Sequence, residues 1–444
     1  MKKNGIEDIY ELSPTQQGML FHTLYGSSPG VYFDQYAIKL RGQLDRQAFE
    51  NAWRQTIARH EVLRTSFHWE KVEKPLQVVH RDVNLPLDHH DWRELPPEQQ
   101  DQRLQDFLNS ERARGFDLTQ APLMRLALIQ TDDECFNFTW SNHHMLIDGW
   151  SRATLFREVL ISYEAMLQGA TPSLRRGLPY RNYIAWLRQQ DLKQAEGYWR
   201  GLLRGFSEPT PLCGTLPSGN REMHYAEQEI RLDQELTSAL SSLARQHQLT
   251  LNTIAQGVWG LLLSRYAGVG DVVFGATVSG RPPTLPNVES LVGLFINTLP
   301  VRMRFSGGES LLSLLKKLQR QQLEMRDYEY SPLVQVQSWS EVPRGPLFES
   351  IVVFENYPVD ASLNNGKSSV KIETVEITGT TNYPLTVTVK PGAELAVHIS
   401  YDRNRFEAAA IRRMLGHFGE LLSEIATGNF ERPVSTLSLL TEEE

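Results

Sequence analysis

Between residues 136 and 167 the hydrophobic period of the chain changes. Phe136, Phe138 and Trp140 alternate with Asn137, Thr139 and Ser141, the two-residue period of a half-buried strand. From Trp150 onward Leu155, Val159, Tyr163 and Met166 or Leu167 recur at helical spacing as far as Gly169, a natural helix stop. The segment between them is His143-His144-Met145-Leu146-Ile147-Asp148-Gly149-Trp150-Ser151. A strand-to-helix turn presents side chains at the edge of a cleft, and the helix N-terminus adds a partial positive charge there.

Helical and strand patterns are mixed along the rest of the chain. Ala48, Phe49, Ala52, Trp53 and Ile57 predict a helix over 45–60, with Asp45 as its N-cap. Gly, Pro and the pair Arg175-Arg176 mark a linker over 169–180, and a second breaker-rich stretch runs from about Gly205 to Asn220. Helices are predicted over 232–247, 251–266, 309–327 and 407–426, and strands over 272–278, 351–354, 370–377, 385–389 and 395–401. The reading is an α+β chain of two lobes, 1–175 and 176–444, the second carrying bridging segments to the first. A length of 444 residues fits two or three folding units.

The composition narrows the function classes. A net charge of −8 leaves no basic excess to neutralise phosphates, which argues against nucleic acid as the partner. Cys135 and Cys213 form no framework and no CxxC, so a reducing, cytoplasmic setting is expected. No apolar run approaches the length of a membrane span. Met-Lys-Lys-Asn-Gly-Ile-Glu-Asp lacks the apolar stretch of a signal peptide.

The chemistry concentrates in the His143–Ser151 segment. Histidine is the side chain best poised to move a proton at neutral pH. The plainer reading has the pair capping backbone groups or filling a polar niche. A metal site of His143, His144 and Asp148 is disfavoured, because adjacent histidines do not easily aim both rings at one ion. Asp88-His89-His90-Asp91 sits among polar residues and reads as a surface loop. No nucleophile elbow, dinucleotide fingerprint or Walker loop is present.

The pattern HHxxxDG resembles the signature of the condensation domains of nonribosomal peptide synthetases, and the resemblance covers essentially the whole chain. Leu12-Ser13-Pro14-Thr15-Gln16-Gln17-Gly18-Met19-Leu20-Phe21-His22 is similar to the family's opening motif. Arg59-His60-Glu61-Val62-Leu63-Arg64-Thr65-Ser66-Phe67 is similar to its second motif. Tyr180 to Trp186 with Tyr198-Trp199, Gly280-Arg281-Pro282 through Val292 to Arg302, and Pro346-Leu347-Phe348 with Phe354-Glu355-Asn356 resemble later motifs in the family's order.

The resemblance implies two chloramphenicol-acetyltransferase-like lobes forming a V-shaped pseudodimer with a central tunnel. It implies an amide-forming reaction between an upstream acyl or peptidyl thioester and the amine of a downstream aminoacyl thioester. Carrier proteins bring both on 4'-phosphopantetheine arms, and the domain itself holds no cofactor and no metal. A monomer is expected, with an adenylation domain following, since Ser-Leu-Leu-Thr-Glu-Glu-Glu resembles the linker to one. His144 matches the reactive histidine, which accepts the amine proton or hydrogen-bonds the tetrahedral intermediate. His143 matches the supporting histidine. Asp148 matches the residue that pairs with the arginine matched by Arg281. Gly149 keeps bulk away from the tunnel and offers its amide to the oxyanion. Trp150 and Ser151 are expected at the lining, and Arg64 either there or holding the second motif.

Some features depart from relatives within the family. Asn142 precedes the histidine pair, so the triple-histidine β-lactam variant is absent, and His143 excludes the cyclising DxxxxD pattern. Trp150-Ser151-Arg152-Ala153 does not match the epimerase run. Thr15 and Asn182 stand where a larger residue and an Asp are common. The competing readings are a stand-alone coenzyme A acyltransferase and a silent recruitment module of the same fold.

Overall fold

The computed structural model describes residues 5–26, 30–174, 177–212, 224–343, 345–356, 369–428 and 430–439. The division read between residues 175 and 176, Cys213, Met1 and the polar tail at 441–444 lie outside the described residues. Along the described chain the elements are β1 (Ile6–Glu11), α1 (Pro14–Tyr25), β2 (Phe33–Gly42), α2 (Arg46–Arg59), β3 (Thr65–His68), β4 (Leu76–His80), β5 (Leu87–Asp91), α3 (Pro97–Arg114), β6 (Met124–Gln130), β7 (Cys135–His143), α4 (Gly149–Leu167) and α5 (Arg181–Leu187). They continue with α6 (Leu192–Leu203), β8 (Tyr225–Leu232), α7 (Gln234–Gln246), α8 (Leu251–Ala267), β9 (Asp271–Val278), β10 (Asn297–Arg304), α9 (Leu311–Met325), α10 (Leu333–Trp339), β11 (Ser350–Phe354), β12 (Val370–Thr378), β13 (Leu385–Lys390), β14 (Leu395–Asp402) and α11 (Ala408–Ala426). The architecture is α+β, in two compact units. One lies within Met1–Gln189, Pro283–Phe295 and Tyr357–Asn382, the other within Gln190–Pro282, Ile296–Asn356 and Tyr383–Glu444.

The first unit is built on a five-stranded sheet of order β12-β2-β7-β6-β5 beside a three-stranded sheet, β1-β4-β3. The large sheet is antiparallel except where β5 runs parallel to β6. The alternation that predicted β7 is present, but the strand is buried on both faces rather than one. On one face Phe138 and Trp140 meet Phe49 and Trp53 of α2 in edge-to-face and tilted ring contacts. On the other, Gln35 Nε2 donates to Leu108 O of α3 and to Ser141 Oγ, so the Ser141 hydroxyl of the alternation meets a protein partner rather than water.

α2 begins where the sequence places it, because the Asp45 carboxylate accepts from Ala48 N–H and satisfies one of the unpaired donors of the first turn. The Asp88–Asp91 run is the strand β5 and not a loop. Pairing with β6 recruits it, and His90 packs against Trp92 and Phe107 while Asp88 and His89 stay exposed.

The second unit has a six-stranded mixed sheet, β10-β9-β11-β13-β14-β8. Its core holds Trp199, Trp259, Phe274 and Phe418, all fully buried. Trp199, one of the motif residues Tyr198-Trp199, is thus a packing residue, and its indole N–H donates to Ser331 Oγ at 2.8 Å. The helix expected from Leu232 starts later. Leu232 ends β8, paired with Leu395, and Asp233 caps α7 through Leu236 N–H. Among the described residues no helix is long and apolar enough to cross a membrane.

Candidate active site

The turn from β7 to α4 is held by hydrogen bonds from several parts of the first unit. β7 ends opposite the start of β2, with His143 across from Phe33 and Asn142 across from Asp34. His143 N–H donates to Leu123 O, and Leu146 N–H closes the turn on His143 O. From α1, the Gln16 amide donates to Met145 O at 3.0 Å. Gln16 also completes the capping box with Ser13 at the start of that helix, which explains the Ser-Pro-Thr-Gln sequence of the opening motif.

Asp148 is the N-cap of α4. One carboxylate oxygen accepts from Ser151 N–H at 2.8 Å and the other from Phe295 N–H at 3.1 Å. Asp148 N–H donates to Gly293 O, and Ser151 Oγ donates to the same carbonyl while accepting from Gly293 N–H. Ser151 is therefore buried as a fastener of the 293–295 segment. Gly293 is required by close approach, since a Cβ there would stand 2.2 Å from the Tyr180 ring. Gly293→Ala is expected to destabilise by about 1–3 kcal/mol through overpacking, read as a lower urea midpoint at unchanged slope. Trp150 donates its indole N–H to Glu289 O at 3.0 Å.

The two histidines differ electrostatically. His143 is buried, which, with the neighbouring His144, lowers its pKa to about 3. Its Nδ1 accepts from Met145 N–H at 3.2 Å, so in the neutral ring Nε2 carries the proton and faces Thr23 Oγ1 at 3.4 Å. His144 is pushed down by burial, but the charge and hydrogen bond of Asp34 outweigh that and leave its pKa raised. Its Nδ1 lies 2.6 Å from Asp34 Oδ2. Its backbone N–H donates to Tyr32 O at 2.8 Å, and the Tyr32 ring stacks parallel to the imidazole with centroids 6.5 Å apart.

Thus His143, His144, Asp148, Gly149, Trp150 and Ser151 are gathered on one turn of the first unit. Arg64 is buried in that unit, and its guanidinium binds Ile57 O, His80 O, Arg81 O and Glu7. These contacts hold the second motif together. Arg281 lies in the second unit, just after Gly280, whose N–H donates to Glu329. Sequence reasoning passed over Asp34. The available signal was an acidic residue between Phe33 and Gln35 in a strand that otherwise reads as core. Among the described residues no cluster of His, Cys, Asp or Glu is arranged to hold a metal ion.

The family model of the condensation domain matches residues 6–444. The chain belongs to the condensation-domain family. Condensation domains of nonribosomal peptide synthetases are amide-bond-forming acyltransferases. A linear gramicidin synthase of Brevibacillus parabrevis is 44% identical over 447 residues, covering 100% of this chain. The chain spans only 6% of the length of that relative. The starter condensation domain of rhizomide synthetase superposes with a TM-score of 0.83 at 22% identity, covering 97% of this chain and 98% of that one. A four-domain nonribosomal peptide synthetase superposes with a TM-score of 0.79 at 16% identity, over 98% of this chain and 34% of that one. Both superpositions share the α+β condensation-domain fold.

Proposed function

We propose that this condensation domain joins an acyl or peptidyl group, held as a thioester on an upstream carrier protein, to the amine of an aminoacyl thioester on a downstream carrier. Phosphopantetheine arms bring both, and the domain serves a larger synthetase in which an adenylation domain adjoins it. The observation that carries the reading is the complete His143–Gly149 motif, with the Nδ1 of His144 engaged and its Nε2 left as the ring nitrogen that can take a proton.

In this reading the amine nitrogen attacks the thioester carbonyl carbon, and the C–N bond forms as a tetrahedral oxyanion. Nε2 of His144 takes the proton the nitrogen loses. The C–S bond then breaks, and that proton passes to the leaving thiolate. The Gly149 amide, at the N-terminus of α4, offers a donor to the oxyanion. His143, neutral at working pH, packs beside the reactive ring, while Asp148 and Arg281 support the motif. Holding two tethered substrates end to end supplies much of the remaining acceleration.

The test is a single turnover with a loaded donor carrier and a loaded acceptor carrier, the acceptor's mass being followed by intact-protein mass spectrometry. Growth of the acceptor by the donor acyl group is expected. Carriers that bind across a panel of donors and yield no product would overturn the reading in favour of the recruitment module.

A further inference from the structure

We propose that Asp34 is a positioning residue for the condensation step: its carboxylate accepts a hydrogen bond from His144 Nδ1–H, fixes the ring with Nε2 unprotonated toward the substrates, and stabilises the imidazolium formed when the amine gives up its proton. This rests on the function proposed above and adds to it a partner that the HHxxxDG motif does not contain.

The geometry determines the tautomer. An ionised carboxylate only accepts, so at 2.6 Å the proton between Asp34 and the neutral ring belongs to Nδ1, and Nε2 is the basic nitrogen. Asp34 is only 9% exposed, so its interaction with the ring is weakly screened by water. Groups on each neighbouring element bear on the same imidazole. Asp148 at the start of α4 adds to the effect of Asp34, Arg152 on α4 opposes it, and His143 on β7 is neutral. The guanidinium of Arg152 is engaged with Tyr36, lying 4.1 Å from that ring's centroid.

The surroundings of Asp34 hold it in place. Tyr32, two residues earlier, adopts a left-handed backbone with φ 64°, a conformation costly for a bulky side chain. It is held there by Tyr32 N–H to Thr380 O and Tyr32 OH to Asn382 Oδ1. That bend turns the Tyr32 carbonyl onto His144 N–H while the strand resuming at Phe33 delivers Asp34 to Nδ1. From the opposite side, a Cβ at Gly379 would stand 2.8 Å from Asp34 Oδ1. The backbone of Gly379 does not have a left-handed φ, so glycine serves there to leave room for the carboxylate.

Two substitutions separate charge from position. Asp34→Asn removes the charge and can present an amide N–H to the ring, which favours the wrong tautomer. Gly379→Ala keeps the charge and displaces the carboxylate. Single-turnover rates against pH are measured with saturating carriers, together with the tautomer and titration of His144 by long-range ¹H–¹⁵N NMR, His144→Ala giving the assignment. The expected wild-type ring carries its proton on Nδ1. In Asp34→Asn that signal is lost, the His144 midpoint moves to lower pH, and the acid limb of the rate follows it. The sign is fixed because the reaction needs a neutral ring and Asp34 raises the pKa at which neutrality is lost. The rate on the plateau falls on the order of 10²-fold, within the range assigned to a positioned base, while carrier binding is unchanged. Gly379→Ala slows the step in the same way, and Asp34→Glu restores part of the rate.

Wild-type rate and titration in Asp34→Asn would overturn the proposal, and the function would still stand if His144→Ala remained slow. A slowed Asp34→Asn with an unaltered His144 tautomer and titration would overturn it too, since Asp34 would then be only structural. If the wild-type domain made no product, the function would fail and the NMR measurement alone would decide whether Asp34 fixes the ring.

Discussion

His144→Ala is expected to slow single-turnover transfer by about 10²–10⁴-fold, the contribution of a positioned base, while the protein stays folded. The side chain is partly exposed, and the turn that carries it is fastened elsewhere: by Gln16 at Met145, by Leu123 at His143, and by Gly293 at Asp148 and Ser151. The variant leaves the Asp34 carboxylate without its ring partner, a stability cost of about 1–3 kcal/mol. That is a fraction of the about 5–15 kcal/mol of a typical domain. Residual turnover is expected because both substrates remain tethered and aligned, and an amine near its own pKa needs modest help. The part of the acid limb that follows the titration of His144 should vanish with the ring, leaving only the limb set by protonation of the amine itself. A variant as fast as wild type, with the same acid limb, would remove His144 from the proton path.

Asp148→Ala is expected to act in the opposite manner, as a loss of stability that carries activity with it. The substitution removes the cap of α4, worth about 0.5–2 kcal/mol, and leaves the Phe295 N–H buried without its acceptor, a further cost of about 1–3 kcal/mol. Together they predict a loss of about 1.5–5 kcal/mol, measured as a lower urea midpoint at constant slope. Asp148→Asn should fall between, since its amide oxygen still accepts from Ser151 N–H while its NH₂ group is brought against the Phe295 donor. A midpoint unchanged in Asp148→Ala would mean that the cap and the Phe295 bond hold nothing together. The two variants thus separate a residue of the proton path from a residue of the frame.

What could be read in the sequence was what is local. The cap at Asp45 and the change of period between Trp140 and Trp150 depend on neighbours within a few residues, and both describe the structure. The motif residues are likewise consecutive, so their gathering on one turn follows from chain continuity. Contacts between distant residues were not legible. Asp34 reaches His144 across 110 positions, through a strand register that no local pattern encodes. Ser151, expected at a lining, turns inward to Gly293 because that segment returns 142 residues later. Leu232 has the helical spacing of Leu236, Leu240 and Leu243, but pairing with β14 claims it for a strand before Asp233 starts the helix. β7 reads as half-buried because alternation does not reveal that Gln35, on the neighbouring β2, reaches both Ser141 and Leu108 O of α3 on its polar face.

The edge strand β12 comes from residues 370–378, yet it completes a sheet whose other members are finished by residue 143. While the chain emerges from a ribosome, β2 therefore waits with an open hydrogen-bonding edge through some 230 further residues (370 less 143) before Val370 can pair with Gly42. Recombination is constrained in the same way. A chimera joined at a single point near residue 190 would take β12, the Gly293 anchor and the Gly379 that makes room for Asp34 from the parent that did not supply the histidines. Its sheet edge and its reactive turn would be fitted to two different ancestors, so the natural unit of exchange for this catalytic half is discontinuous in sequence.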